Sequence, residues 1–278
     1  MSPKAKKLIY NIIIYVVLGL VALIVFIPVI GVVFSAFKSG EEYLTTSKLA
    51  PPSSFLYFDN FKEIMENGKV VQGFTNTVII MACSLFGASM FSTMVAYVIN
   101  RFEFTGKSLI KSIYLIASFV PGVTTQIVTF NLIKGLGLVN SLGAPILLYV
   151  GVDIVSLYLY MQYINEIPRS LDEAALVEGS SYTGVYLRII LPMLKPAIIT
   201  ACIIKGTAIY NDFYTAFLYL PSSNKSVMST MLYRFMGPYS ANWNIIAAGI
   251  LVVLIPIFIV FVCLQKYIYK GFAEGAIK

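Results

Sequence analysis

The chain has 278 residues, 58% of them hydrophobic and 12% charged, with 20 Lys and Arg against 13 Asp and Glu for a formal charge of +7. With a mean hydropathy of +0.83, that balance excludes an ordinary soluble domain and places the chain in a bilayer. The sequence contains no His, which excludes imidazole metal sites and His-based triads.

A helix crossing the hydrocarbon core needs about 20 mainly apolar residues. Six stretches meet that requirement, at approximately 12–34, 74–99, 108–131, 143–163, 197–220 and 243–266. The expected fold class is all-α, a polytopic membrane protein of six spans forming a single transmembrane domain over residues 1–278. The first stretch is too long for a removable leader and lacks a small-residue cleavage site, so it is kept as a span.

Lys and Arg, among them Lys4, Lys6, Lys7, Arg101, Lys107, Lys111, Arg169 and Arg188, gather on one set of connections. The positive-inside bias then puts both termini in the cytoplasm and accounts for the net charge without nucleic acid. Cys83, Cys202 and Cys263 fall inside apolar stretches with no CxxC spacing, and read as small hydrophobes.

Between the first two spans, Pro51 and Pro52 break any helix, and the run DNFKEIMEN (59–67) reads as a short amphipathic one. This outside loop, roughly 38–72, is expected to be a folded cap. RFEFTGK (101–107) is short and basic, so spans two and three should form an antiparallel hairpin. KGLGLVNSLGAP, between spans three and four, makes a sharp outside turn.

The connection 164–196 is polar where its flanks are apolar. Ser170 followed by Glu173 has the pattern of a capping box, and Pro168 stops the preceding helix. Leu171, Ala174, Ala175 and Glu178 share a face at i, i+3, i+4 and i+7. Gly179 stands where a glycine ends a helix, a second helical segment covers about 181–190, and Pro192 and Pro196 mark the return to the membrane. Small alanines admit a close partner, and carboxylates favour a basic one. The alternative, an interfacial helix lying on lipid, calls for Lys and Arg on the polar face; here acids dominate.

Asp153, Lys205 and Asp212 are ionisable residues at membrane depth, where charge is costly and marks function or structural pairing. Lys205 and Asp212, seven apart, fall on one helical face.

Glu173-Ala174-Ala175, Gly179, Ile189 and Leu191-Pro192 match the EAA, G, I-x-LP signature of the permease subunits of bacterial ATP-driven importers. The chain resembles the smaller, six-span permease of maltose- and raffinose-type carbohydrate importers over nearly its whole length. Asn76-Thr77, Gly137-Leu138 with Asn140 and Gly143, and Asn211-Asp212-Phe213 fall in the family's order. So does the tail from Gln265-Lys266-Tyr267 through Lys270-Gly271 to Gly275-Ala276. Two departures touch the pathway: Tyr210 stands where many relatives have Trp, and Pro121 is followed by no second Pro inside span three. The sugar is therefore not copied from maltose.

The resemblance implies a homologous second permease, two cytoplasmic ATPase subunits, an extracellular solute-binding protein and a sugar substrate, expected to be an oligosaccharide, in a bacterial plasma membrane. This chain then carries no cofactor of its own, since ATP and Mg belong to the ATPase; it has no GxxxxGK[ST] loop. The EAA helix becomes a coupling helix seated in the ATPase, with Glu173, Ala174, Ala175, Glu178, Gly179, Leu191 and Pro192 as its contact and turn residues.

Sugars are recognised by aromatic faces together with amide and carboxylate groups. The expected pathway residues are Tyr210, Asn211, Asp212, Tyr214, Gln126, Asn131 and Asn76. Met228, Met231, Tyr233 and Phe235, in the last outside loop, are expected to touch the binding protein, the alternative being packing against the chain's own loops. The rival class, an ion-driven secondary transporter, calls for internal repeats and several paired intramembrane charges, which three isolated charges do not supply.

Overall fold

The computed structural model describes residues 3–236 and 242–276, with side chains throughout except at 3–6, 8, 234 and 267–276. In chain order the α-helices are α1 (Pro3–Ala36), α2 (Gly40–Thr45), α3 (Asp59–Asn67), α4 (Val70–Arg101), α5 (Lys107–Ser118), α6 (Gly122–Gly135), α7 (Gly143–Val150) and α8 (Ile154–Glu166). They continue as α9 (Arg169–Val177), α10 (Tyr182–Val185), α11 (Leu191–Met193), α12 (Lys195–Asn211), α13 (Phe213–Tyr219), α14 (Met228–Met231) and α15 (Trp243–Ala276). No strand occurs among the described residues, and the fold is all-α as the apolar stretches imply. The chain divides into two compact units: one runs up to Val70 and includes Met231–Phe258, and the other comprises Val71–Thr230 and the chain from Ile259.

Among the described residues, three helices are long and apolar enough to cross a membrane: Ile9–Ala36, Val70–Arg101 and Trp243–Lys266. The other apolar stretches are broken. α5 and α6 meet at 101°, with Pro121 as the extended residue before α6; proline has no N–H to continue the ladder and pushes its predecessor out of the helical region. α7 and α8 meet at 44° across Gly151, with Asp153 capping α8 through its carboxylate. The fifth stretch is interrupted at Asp212, which ends α12 and caps α13. Upstream, the helical run Tyr182–Met193 turns 69° into α12, between Pro192 and Pro196.

In the first unit, the segment after α1 is a folded cap, as its prolines and amphipathic run predict. Lys38 is fully buried, and its ammonium donates to Thr46 Oγ1 at 2.9 Å and the Ser47 carbonyl at 2.7 Å. Those bonds offset the desolvation that an unpaired buried cation would suffer. Asn60 on α3 donates to the carbonyls of Ala36 and Lys38, and its own oxygen accepts from Asn244. The end of α1, α3 and the start of α15 thus share one polar knot.

In the second unit, the largest apolar cluster joins Ala96 and Tyr97 of α4 and Leu157, Tyr160 and Ile164 of α8 to Val185, Tyr186, Ile190 and Leu194. The connection 164–196 is therefore built onto the unit's core.

Candidate functional site

The connection begins where α8 stops, at Glu166. Pro168, at φ −58° and ψ 133°, precedes α9 and makes no side-chain cap, and the helix starts at Arg169. The Ser170–Glu173 capping box is not formed, because proline's fixed φ presets the helix entry one residue ahead of the serine. α9 is two-faced. Asp172 is buried, and Ala175 and Leu176 pack against the core cluster. Leu171, Glu173, Ala174, Val177 and Glu178 are exposed, with Val177 89% exposed. Ala175 consequently does not share the outward face with Ala174 and Glu178; it lies half-buried at its inner border.

Gly179 ends the helix at φ +88°. Its N–H donates to the Leu176 carbonyl at 3.0 Å and that of Ser180 to Ala175 at 2.9 Å, the paired bonds of a left-handed helix stop. A Cβ at Gly179 would meet nothing within 4 Å, so the position demands glycine's backbone and faces open space.

The return arm starts with Ser181, whose hydroxyl accepts from the Gly184 N–H at 3.1 Å. The helix widens to a π turn over Tyr186–Ile190, closed by the Leu191 N–H on the Tyr186 carbonyl. Pro192 lacks the N–H that would serve Arg188, and the ladder opens by one residue upstream of it. Leu191 is half-buried against the core and Pro192 is exposed.

One end of α4 grips both arms. Arg101 Nε lies 2.8 Å from Asp172 Oδ2, with side chains 6% and 12% exposed, and Arg101 Nη2 donates to the Ile167 carbonyl at 2.9 Å. Asn100 donates to Asn165 Oδ1 at 2.6 Å, and Arg169 donates to the Asn100 carbonyl at 3.3 Å. On the return arm, Tyr186 and Thr93 hydroxyls bond at 2.8 Å, and the Tyr97 ring lies 5.4 Å from that of Tyr186. Beyond α4, Lys107 donates to Glu103 at 2.7 Å; that bond and the ammonium charge hold the Glu103 carboxyl below its ordinary range. The sequence motif points to Glu173, but the charge that fixes the helix is its neighbour Asp172. Its only sequence signals were an acid in the first helical turn and a basic residue after span two.

The expected pathway residues do not converge on one open pocket. Tyr210 and Asp212 line a cavity of about 10 Å³ with Thr77, Tyr149 and Ser229, room for about one water. The Asp212 carboxylate is already engaged: Tyr149 OH donates to Oδ2 at 2.7 Å, Thr215 N–H to Oδ1 at 2.9 Å, and Thr215 Oγ1 to Oδ2 at 2.6 Å. Asn76 is buried and donates to the Ser226 carbonyl at 2.9 Å. Gln126 donates to Tyr219 OH at 3.0 Å. Asn131, Asn211 and Tyr214 are exposed, Asn211 with its amide on the Thr207 carbonyl.

One further expectation is corrected. Met228 and Met231 are buried, 1% and 0% exposed; the hydrogen bonds from Asn76 to the Ser226 carbonyl and from the Met228 N–H to Thr77 Oγ1 draw Met228 inward. Tyr233 is exposed and Phe235 half-buried. Residues 237–241 of that loop, and the side chains of the tail motif from Tyr267 onward, lie outside the described residues. Asp153 and Lys205, for which structural pairing is one of the two readings, pair at 2.9 Å, and Lys205 also donates to the Gly151 carbonyl at 3.0 Å.

A family model described as "Binding-protein-dependent transport system inner membrane component" matches residues 88–274, and that range holds the whole 164–196 connection. The chain is 32% identical over 268 residues to the multiple sugar-binding transport system permease protein MsmG of Streptococcus mutans serotype c, covering 95% of this chain and 96% of that one. It is 29% identical over 280 residues to the galactooligosaccharides transport system permease protein GanQ of Bacillus subtilis (strain 168), covering 99% and 98%. A crystal structure of a bacterial ABC transporter involved in import of the acidic polysaccharide alginate superposes with a TM-score of 0.84 at 19% identity, covering 96% of this chain and 98% of the other, which shows a shared fold. This chain belongs to the family of inner-membrane components of binding-protein-dependent transport systems.

Proposed function

We propose that this chain is the permease subunit of an ATP-driven importer of sugars, oligosaccharides by preference, and that the outward face of α9 is where a separate ATPase docks. The observation that carries the reading is the exposure of Glu173, Ala174, Val177 and Glu178 on a helix whose opposite face is fixed to the membrane-spanning part by Asp172. A surface meant for lipid would carry cations and a broad apolar stripe. This one presents Glu173 and Glu178 around Ala174, with Leu171 and Val177 as its apolar members and no broad apolar stripe, beside a glycine turn that leaves open space.

In this reading the chain forms half of the translocation pathway with a homologous second permease. Each apolar stretch is one of six spans, and both termini and the α9 loop are cytoplasmic. ATP and Mg belong to the ATPase subunits, and a solute-binding protein delivers the sugar to the opposite side. The relatives named for multiple sugars and galactooligosaccharides support the substrate class. Asp212, Asn76 and Gln126 shape the pathway wall through their internal bonds, and exposed Asn211, Asn131 and Tyr214 are left to meet substrate.

Reconstitution of the complex in vesicles tests this. Galactooligosaccharide uptake that requires ATP on the α9 side and binding protein on the other is the expected result. Uptake driven by an ion gradient without ATP would overturn it.

A further inference from the structure

The end of α4 is joined to α9 by a bond chemistry that packing alone does not require. Arg101 and Asp172 are both charged and almost enclosed, and an apolar pair of similar volume serves stability as well or better than a buried ion pair. What the pair adds is orientation. On the guanidinium fork, Arg101 Nε lies 2.8 Å from Asp172 Oδ2 as an ion-pair contact without a directed hydrogen bond, while Nη2 donates to Asp172 Oδ1 at 3.5 Å and to the Ile167 carbonyl at 2.9 Å; the two acceptors of Nη2, one on each side of the α8–α9 turn, set rotation as well as distance. Further along α4, Asn100 holds the end of α8 through Asn165 and Met161, and Thr93 and Tyr97 hold the return arm at Tyr186. The opposite face of α9 carries none of these bonds.

We propose that Arg101 and Asp172 are positioning residues for energy coupling: they make α9 and the membrane helix α4 one mechanical body, so that displacement of α9 enters the membrane through α4. The proposal rests on the docking reading above. A switch needs contacts that differ between its states; here those contacts belong to the exposed face of α9, while the Arg101–Asp172 joint keeps its bonds in both.

The test uses the full complex, with ATPase and second permease, in vesicles, and measures sugar uptake and ATP hydrolysis together. For Asp172→Asn, the ATPase stays bound and hydrolysis persists, but sugar moved per ATP falls by about tenfold or more, as expected when one member of a buried pair is removed. Arg101→Lys, which keeps charge without the fork, gives an intermediate ratio. The exchange of Arg101→Asp with Asp172→Arg restores most of it. An unchanged ratio in Asp172→Asn overturns the proposal, and so does a lowered ratio that the exchange does not raise. Loss of the ATPase from Asp172→Asn and the exchange variant alike also overturns it, since the pair then serves only the shape of the docking face. If the unaltered chain binds no ATPase, the docking reading itself falls; binding with an unchanged ratio removes only this proposal.

Discussion

Arg101 and Asp172 meet at 2.8 Å with side chains 6% and 12% exposed, across 71 residues of sequence. Removing one member strands the other in a poorly solvated site. Asp172→Ala is expected to lose about 3–5 kcal/mol of stability, read from denaturant unfolding in detergent. The double variant Arg101→Met with Asp172→Leu should lose clearly less. Equal losses in the single and double variants would show that the charge pair is not what holds this joint.

Gly179 separates backbone from surface effects, because its φ is +88° and an added Cβ meets nothing. Gly179→Ala should cost about 1 kcal/mol through the left-handed backbone, and Gly179→Asn less, since Asn tolerates that region. Gly179→Asp should remain in the membrane yet abolish transport, because its charge projects into the space a partner would fill. Thermal unfolding and uptake of the three variants check this; normal transport by Gly179→Asp would count against the docking face.

Asp153 has two duties, capping α8 at Ser156 and pairing with Lys205. Asp153→Ala therefore loses the cap, about 1 kcal/mol, and leaves the Lys205 ammonium with only the Gly151 carbonyl. Lys205→Met removes the pair but keeps the cap. Melting temperatures should rank the unaltered chain first, Lys205→Met next and Asp153→Ala last; the reverse order of the variants would assign the stabilising role to the lysine.

For Asp212 the expected effect is structural. Asn caps helices as well as Asp does, so Asp212→Asn should keep stability and sugar affinity close to the unaltered chain. Asp212→Ala should lose about 1 kcal/mol with the cap, besides leaving Tyr149 without its acceptor. A large loss of sugar affinity in Asp212→Asn with stability intact would place the carboxylate on the substrate instead.

What was legible in the sequence follows from which forces are local. Helix-forming apolar runs, the glycine stop at Gly179 and the amphipathic cap at 59–67 are set by neighbours in the chain, and each is found where its residues put it. The break at Pro121 is local too, yet a composition count over 108–131 hides it, since a bent pair of helices is as apolar as a straight one. Bonds between distant segments were not legible as particular pairs: Arg101 with Asp172 and Tyr149 with Asp212 read as connection charges or pathway lining until the fold pairs them, and for Asp153 and Lys205 the sequence leaves pairing open without naming the partner. The buried Met228 and Met231 show the same limit, because a soft apolar side chain in a loop suits a surface or an interior equally; for Met228, Asn76 and Thr77 decide it from α4.

The central claim is that the outward face of α9 meets an ATPase, and Val177, 89% exposed, is the place to ask. A photoreactive amino acid at position 177 is activated in native membranes, and the adducts of this chain are identified by mass spectrometry. The account predicts a covalent adduct with an ATP-binding-cassette ATPase, lost in the Gly179→Asp background. Adducts with lipid alone, from a complex in which the second permease is still present, would contradict it.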